Sequence, residues 1–228
     1  MQNMRISADD PYYGHVRTLL LGLVKGSPKR VLEIGCGHGE ALAYLKRECG
    51  ASFVAGIELV PEVAAIARQK PEIDLVIVGD IERLDCNELP TGSFDLVIAS
   101  HVLEHVADPW AVTRKLSALL STNGQLIGSL PNIRNVKVSL PLLLFGKFTY
   151  EKEGILDWTH TKFFTKGTIE QLLHSSGLSI QAIEPEFSPK MATLNALTCR
   201  MFRNLLCFTY NFSAGAPAQE DMSRLGQA

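Results

Sequence analysis

Residues 30–40 read RVLEIGCGHGE, and this stretch decides the fold of the chain. Val31, Leu32 and Ile34 form a short apolar run, which predicts a buried parallel strand. Glycines follow at positions 35, 37 and 39, and apolar residues then recur at helical spacing in ALAYLKREC. A strand that enters a helix through such a loop lets bare backbone approach a ligand beside the partly positive helix N-terminus. The stretch therefore predicts a nucleotide-type site.

The glycine spacing separates two kinds of nucleotide site. A dinucleotide fingerprint has glycine at its sixth position, where this chain has Glu40, and a carboxylate is a poor neighbour for a pyrophosphate. This disfavours a nicotinamide-dependent oxidoreductase. The pattern from Glu33 to Gly39, acid-x-G-x-G-x-G, instead resembles motif I of class I S-adenosylmethionine (SAM) methyltransferases. SAM carries a sulfonium cation and no phosphate, so acidic neighbours suit it.

Two acids follow at the ends of the next predicted strands. SFVAGIEL (52–59) contains Glu58 nineteen residues after Gly39, close to the spacing at which an acid meets ribose hydroxyls in βαβ nucleotide folds. IDLVIVGD (73–80) stops at Asp80. In the family that the chain resembles, an acid here accepts from the adenine amine, and the next backbone amide, that of Ile81, faces the ring. The alternative for Asp80 is an ordinary turn residue.

The resemblance also places an aromatic residue over the SAM pocket, where a ring face suits a sulfonium. Tyr13 in the early pair Tyr12-Tyr13 fits that place, with plain packing at a helix start as the alternative. The complete predicted cofactor-binding set is Tyr13, Glu33, Gly35, Cys36, Gly37, Glu58, Leu59, Asp80, Ile81 and Ser100.

The run ELPTGSFDLVIASHVLEHVADP (88–109) carries the predicted chemistry. FDLVIA reads as a buried strand, and SHVLEHV follows at its carboxyl end, where open α/β sheets place their reactive groups. The N/D-P-P-Y/F tetrad of amino-group methyltransferases is missing here, so an oxygen acceptor is preferred. An alcohol gains from a base, and the predicted catalytic residues are His101 and His105, together with His160 further along the chain.

A metal is the alternative use of these side chains. On a helical turn, residues 101, 104 and 105 would share one face, and His160 could reach them. This resembles the E-x-x-E-H plus distant histidine site of small-RNA 3′-end methyltransferases and of metal-aided ubiquinone O-methyltransferases. His101 departs from that pattern by replacing a carboxylate, and HVLEHV recurs in methyltransferases that need no metal. We therefore assign no metal here and keep acid–base use as the prediction.

The pattern changes after Pro131. Residues 131–165 show no clean period, and we predict that they form a substrate cap inserted in a single domain spanning 1–212, with 213–228 as a disordered tail. The cap segment VSLPLLLFG lies between Lys137 and Lys147. It could contact a membrane surface, although covering the cap's own small core is the preferred interpretation.

Alternating strands and helices over 30–130 predict a doubly wound α/β fold. The resemblance implies a Rossmann-like SAM methyltransferase fold with seven mostly parallel strands in the order 3-2-1-4-5-7-6 and strand seven antiparallel. SLPN, LPLLLFG and DWTHTKFFT further resemble a bacterial subgroup of MetW-like and glycan-associated methyltransferases. The predicted function is SAM-dependent O-methylation of a hydroxyl on a small-molecule, sugar or lipid-linked glycan acceptor. The alternative is a non-catalytic SAM- or metabolite-binding partner subunit.

Composition narrows the partners and the location. The net charge is −2 and the pI is near 6.3, so we expect no DNA partner, and RNA is disfavoured. Five cysteines form no CxxC pair, which predicts reduced thiols in the cytoplasm. No stretch is long and apolar enough to read as a signal core or a membrane span. Nothing in the pattern predicts an oligomeric state.

Overall fold

The computed structural model describes residues 17–84 and 91–215, which build one seven-stranded sheet. Its order is β3-β2-β1-β4-β5-β7-β6, and β7 runs antiparallel to both of its neighbours. The prediction of a doubly wound, mostly parallel sheet is therefore confirmed. The strands are β1 Arg30–Ile34, β2 Phe53–Glu58, β3 Leu75–Val78, β4 Phe94–Ser100, β5 Leu120–Pro131, β6 Ser179–Glu186 and β7 Thr209–Gly215.

Helices cover both faces of this sheet. Successive strand residues point to opposite faces, so that Val31 and Leu96 enter one apolar layer while Leu32 and Val97 enter the other. The described helices are α1 Thr18–Leu21, α2 Glu40–Glu48, α3 Pro61–Ala67, α4 Pro109–Leu119, α5 Val136–Phe145, α6 Lys166–Ser175, α7 Pro189–Leu197 and α8 Arg203–Leu206.

The strand register brings the predicted site residues to one edge. Ile34 pairs with Ile57 and with Ala99, so the glycine loop, Glu58 and Ser100 all follow the carboxyl ends of neighbouring strands. Parallel strands place their carboxyl ends on the same edge, and open α/β sheets bind ligands there.

The predicted cap contains a helix that its sequence pattern does not reveal. Asn135 caps α5 through its side chain, which accepts from Lys137 N, and the helix ends at Gly146 with a left-handed φ of 61°. Only Val138 of α5 is buried, in a small cluster with Ile155 and Leu156. We preferred the interpretation that VSLPLLLFG packs on the cap's own small core. Of this segment, only Val138 does so.

The last strand corrects one predicted boundary. We expected a disordered tail from Ser213, but β7 continues to Gly215, and Ser213 and Ala214 are fully buried between β5 and β6. A composition rich in small residues predicts disorder, but small side chains also fit in a strand that lies between two others. The rest of the predicted tail lies outside the described residues.

Candidate functional site

The loop after β1 approaches its neighbours too closely for side chains. Gly35, Gly37 and Gly39 have φ values of 66°, 53° and 75°, which favour glycine. A Cβ on Gly35 would lie 2.9 Å from Val102 Cγ2, and one on Gly39 would collide with Ile73. The loop therefore presents bare backbone at the start of α2, as the sequence predicts.

Glu58 is fixed at the mouth of this loop. Its Oε2 accepts a 3.0 Å hydrogen bond from Gly37 N, and its Oε1 accepts one from Val60 N at 3.0 Å. Each carboxylate oxygen has a further lone pair that can accept from a ligand hydroxyl. The carboxylate is thus held beside the glycine loop.

Glu33 is a buried acid, and one of its oxygens has no hydrogen-bond partner among the described residues. Burial and the nearby charge of Glu58 raise the pKa of Glu33 to about 8, and its Oε2 has no hydrogen-bond partner. Burial, together with the charges of Glu33 and Glu58, also raises the pKa of the Cys36 thiol. Cys36 is therefore an uncharged, unreactive thiol, whereas Glu33 is a protonated carboxyl that a cation would ionise.

The remaining predicted cofactor residues occupy less constrained places. Asp80 Oδ1 accepts from Glu82 N at 2.9 Å, the turn role that was its alternative, while the side chain stays 34% exposed. Ile81 is buried in the core, and Leu59 is exposed at the end of β2. Tyr13 lies outside the described residues.

After β4, His101 and Glu104 form a buried pair. Ser100, which ends β4, is bonded side chain to side chain with Ser129 at 2.8 Å. His101 takes a left-handed φ of 53°, and its Nδ1 lies 2.9 Å from Glu104 Oε1. Burial acts to raise the pKa of Glu104, but the hydrogen bond and charge of His101 hold it below its usual value. The predicted helical turn is a single turn, in which His105 N donates to Val102 O.

His105 is oriented by residues from the cap. Its Nδ1 lies 3.1 Å from Thr159 Oγ1 and 3.3 Å from Thr159 O. The Thr159 hydroxyl donates to Asp157 Oδ1 at 2.6 Å, so the His105 Nδ1–H must be the donor toward Thr159. The His105 Nε2 of the neutral ring is then a proton acceptor. Partial burial lowers the pKa of His105, which keeps the ring neutral near pH 7.

His160 completes this cluster from the cap. Its ring meets that of His105 edge-on at 4.8 Å, and its Nδ1 donates to Ile155 O at 3.0 Å. Thr161 N donates to Glu104 O at 2.8 Å and thereby fastens the cap to the loop after β4. The structure thus brings His105 and His160 together, whereas His101 pairs with Glu104.

Thr159 and Asp157 are functional candidates that sequence reasoning missed. The run Asp157-Trp158-Thr159 was a detectable signal, because an aspartate two residues before a threonine favours a side-chain turn. Thr159 N does donate to Asp157 Oδ1, at 2.7 Å.

The donor set also fits a metal ion. Ligand-capable atoms of Glu104, His105 and His160 all lie within 4.8 Å of one another. The Oε2 of Glu104 is buried and has no hydrogen-bond partner within 17–84 and 91–215, so it is free to act as a metal ligand. One carboxylate and two imidazoles suit zinc, manganese or iron better than magnesium.

Comparisons with known proteins agree with this geometry. The family model described as a methyltransferase domain matches residues 9–183. The chain is 30% identical to a ubiquinone biosynthesis O-methyltransferase of Neisseria meningitidis over 157 residues, which are 67% of this chain and 64% of that protein. It is 32% identical to the mitochondrial ubiquinone biosynthesis O-methyltransferase of Homo sapiens over 162 residues, 68% of this chain and 42% of that one. The matched region therefore spans less than two thirds of these relatives' length.

Solved structures share the fold at low sequence identity. A SAM-dependent methyltransferase from Mesorhizobium loti superposes with a TM-score of 0.61 at 23% identity, covering 86% of this chain and 95% of that one. Magnesium protoporphyrin IX methyltransferase from Synechocystis, solved with bound S-adenosylhomocysteine, gives 0.60 at 17% identity over 90% and 84% of the two chains.

Proposed function

Since the chain belongs to the methyltransferase domain family, we propose that it transfers the methyl group of SAM to a hydroxyl oxygen of a small-molecule acceptor. A methyltransferase with SAM as its cofactor, as the sequence predicts, is confirmed at the level of family and fold. The oxygen acceptor, the site residues and a cytoplasmic location are parts of the proposal.

The observation that carries the proposal is the chain of hydrogen bonds from His105 through Thr159 to Asp157. It fixes the tautomer of His105 and leaves Nε2 as the base. In the proposed reaction the acceptor oxygen forms a bond to the methyl carbon, and the carbon–sulfur bond breaks with its electron pair going to sulfur. The hydroxyl proton passes to His105 Nε2, while the protein holds the three reacting atoms in line.

The cofactor side of the site supports SAM. In the proposal, SAM lies against the bare backbone of Gly35 and Gly37, both of which have positive φ. Its ribose hydroxyls donate to Glu58, which is held by Gly37 N. Asp80 and Ile81 are proposed for the adenine. Glu33, which lacks a partner, offers a carboxylate to the cationic methionine part of SAM.

The acceptor class is proposed from the relatives. The curated relatives reported above are named for ubiquinone biosynthesis, and this favours a small molecule over the predicted sugar or lipid-linked glycan. They also lend no support to the MetW-like subgroup. A non-catalytic partner subunit would bind SAM without turnover. An oriented base such as His105 favours catalysis over that alternative.

A metal-aided variant of the reaction is the second candidate, favoured by the clustered donor atoms. Glu104, His105 and His160 would hold the ion. A bound ion would act as a Lewis acid that makes the acceptor hydroxyl easier to ionise.

Turnover assays with hydroxylated small molecules test the proposal. The change His105→Ala should lower turnover by about 10²–10⁴-fold while SAM affinity by calorimetry stays near normal. His174, which is exposed on α6, supplies the matched control His174→Ala with full turnover expected. Full turnover of His105→Ala would refute the base, and loss of wild-type turnover in a chelator would assign the site to a metal.

The pH profile of turnover tests whether Thr159 orients the His105 ring or serves only to hold the cap in place. Turnover should fall below the pKa of His105, which lies under its ordinary value of 6.5. The change Thr159→Val removes the hydroxyl that lies 3.1 Å from Nδ1 and leaves the longer contact with Thr159 O, so it should shift this acidic limb and reduce turnover. An unchanged limb would show that the Thr159 hydroxyl has no part in the reaction.

A further inference from the structure

The cap helix exposes a large apolar surface. Every residue from 142 to 150 is exposed, and Leu143 and Phe145 reach 80% and 78% exposure. The apolar side chains of this run are Leu142, Leu143, Leu144, Phe145, Phe148 and Tyr150. Because these exposed side chains are consecutive, they point in all directions around the end of the helix. A single flat partner surface would therefore not cover them all. Such a surface marks an interaction site.

A second apolar surface lies on and around α7 and α8. Leu197 and Met201 are 76% and 79% exposed, and Phe202 and Phe208 are also exposed. A hydrogen bond joins the start of α5 to the end of α8. Asn135, which caps α5, donates to Cys207 O at 2.8 Å, just after α8. We call the segments 131–152 and 189–206 together the apolar edge.

Charge identifies the partner of the apolar edge. Its two segments contain seven lysines and arginines and one acid, a net charge of +6, although the whole chain carries −2. The rest of the chain therefore carries −8. Lys137 and Lys147 stand at the two ends of α5. Of the seven cations, Arg203 pairs with an acid outside the edge, Glu184 at 3.1 Å. Apolar side chains flanked by cations match a bilayer surface that presents anionic headgroups.

The length of α5 fixes the depth of the contact. Its ten residues extend about 15 Å, half of a bilayer's hydrocarbon thickness of about 30 Å. Among the helices of 17–84 and 91–215, none is long and apolar enough to cross a membrane. The contact is therefore peripheral.

We propose that the apolar edge docks the protein on an anionic lipid bilayer, with the end of α5 inserted among the headgroups and upper acyl chains. This inference goes beyond the proposed methyl transfer and does not depend on it.

Vesicle flotation with the full chain tests the proposal. The protein should float with vesicles of phosphatidylglycerol and phosphatidylcholine, remain at the bottom with phosphatidylcholine alone, and bind less in high salt. The double variant Leu143→Glu/Phe145→Glu should lose about tenfold or more of its partitioning, because two large side chains no longer enter the apolar layer. Leu19, 63% exposed on α1, gives the matched control Leu19→Glu.

A charge control and an assembly measurement complete the test. Lys147→Glu should weaken binding more than Arg114→Glu, which changes the net charge equally at an exposed position of α4. Thermal unfolding checks that each variant is folded. Wild-type protein that fails to float with anionic vesicles, or a double variant that floats equally well, overturns the proposal. A wild-type dimer that the double variant converts to monomer, without vesicle binding, assigns the edge to a second copy instead.

Discussion

The unpartnered carboxyl of Glu33 makes the stability of the ligand-free protein depend on pH. The folded state holds a proton up to about pH 8, whereas the unfolded chain releases it near 4.5. The stability that this group contributes is therefore complete below pH 4.5, is lost as pH rises, and stops changing above about pH 8. Relative to Glu33→Gln, which does not titrate, the wild type should lose about 3 kcal/mol between pH 4.5 and pH 7.

The assay is urea unfolding of both proteins without SAM at intervals from pH 4.5 to pH 9. Other titrating groups are common to the two proteins and cancel in the difference of their free energies of unfolding. Glu62, an exposed acid on α3, supplies the control Glu62→Gln, which removes an acid away from the glycine loop. The charge of Glu58 helps to raise the pKa of Glu33. The change Glu58→Gln should therefore narrow the pH range over which stability is lost. Parallel profiles for wild type and Glu33→Gln would refute the reasoning.

Three further predictions concern the cofactor and the cap. Gly37→Val should abolish SAM binding in calorimetry, because a branched side chain is strained at a φ of 53° and fills the space for the ligand; retained affinity would contradict the assignment of the loop. Glu58→Ala should weaken SAM by about 1–3 kcal/mol, the loss of a charged hydrogen-bond partner, and an unchanged dissociation constant would remove the ribose role. In hydrogen exchange, amides in 131–165 should exchange faster than those of β1 and β4, and they should slow when SAM and product bind. Equal protection of cap and sheet in the free protein would argue against a cap that orders around its acceptor.

The central sheet could be predicted because local and global signals agree there. Val31, Leu32 and Ile34 are apolar on both faces, as a strand buried on both sides requires. The glycines after them permit positive φ values, which other residues rarely adopt. The order of the strands came from the family resemblance, since spacing along the chain does not state which strands are neighbours.

The cap and the pairings at the site could not be predicted in the same way. Helix α5 is apolar on all sides, so it shows no helical period, and Pro141 within it reads as a break. His105 meets Thr159 across 54 residues, and no local pattern encodes that contact. The sequence likewise places Glu33 at the end of a strand without stating that one of its oxygens is buried and unpartnered.

The cap leaves the sheet and returns to it at one point, where Asn132 bridges to Phe164 and Ile133 N donates to Phe164 O at 2.9 Å. The entropy of closing a loop grows slowly with its length, so an insertion whose two ends already touch can lengthen or shorten at small cost to the sheet. We therefore expect that the part of the predicted cap before Asp157 can be exchanged. A different insertion that keeps Asp157, Thr159 and His160 would leave the partners of His105 in place. Successive grafts of this kind could redirect methyl transfer to new acceptors while β1, β2 and the glycine loop remain as they are.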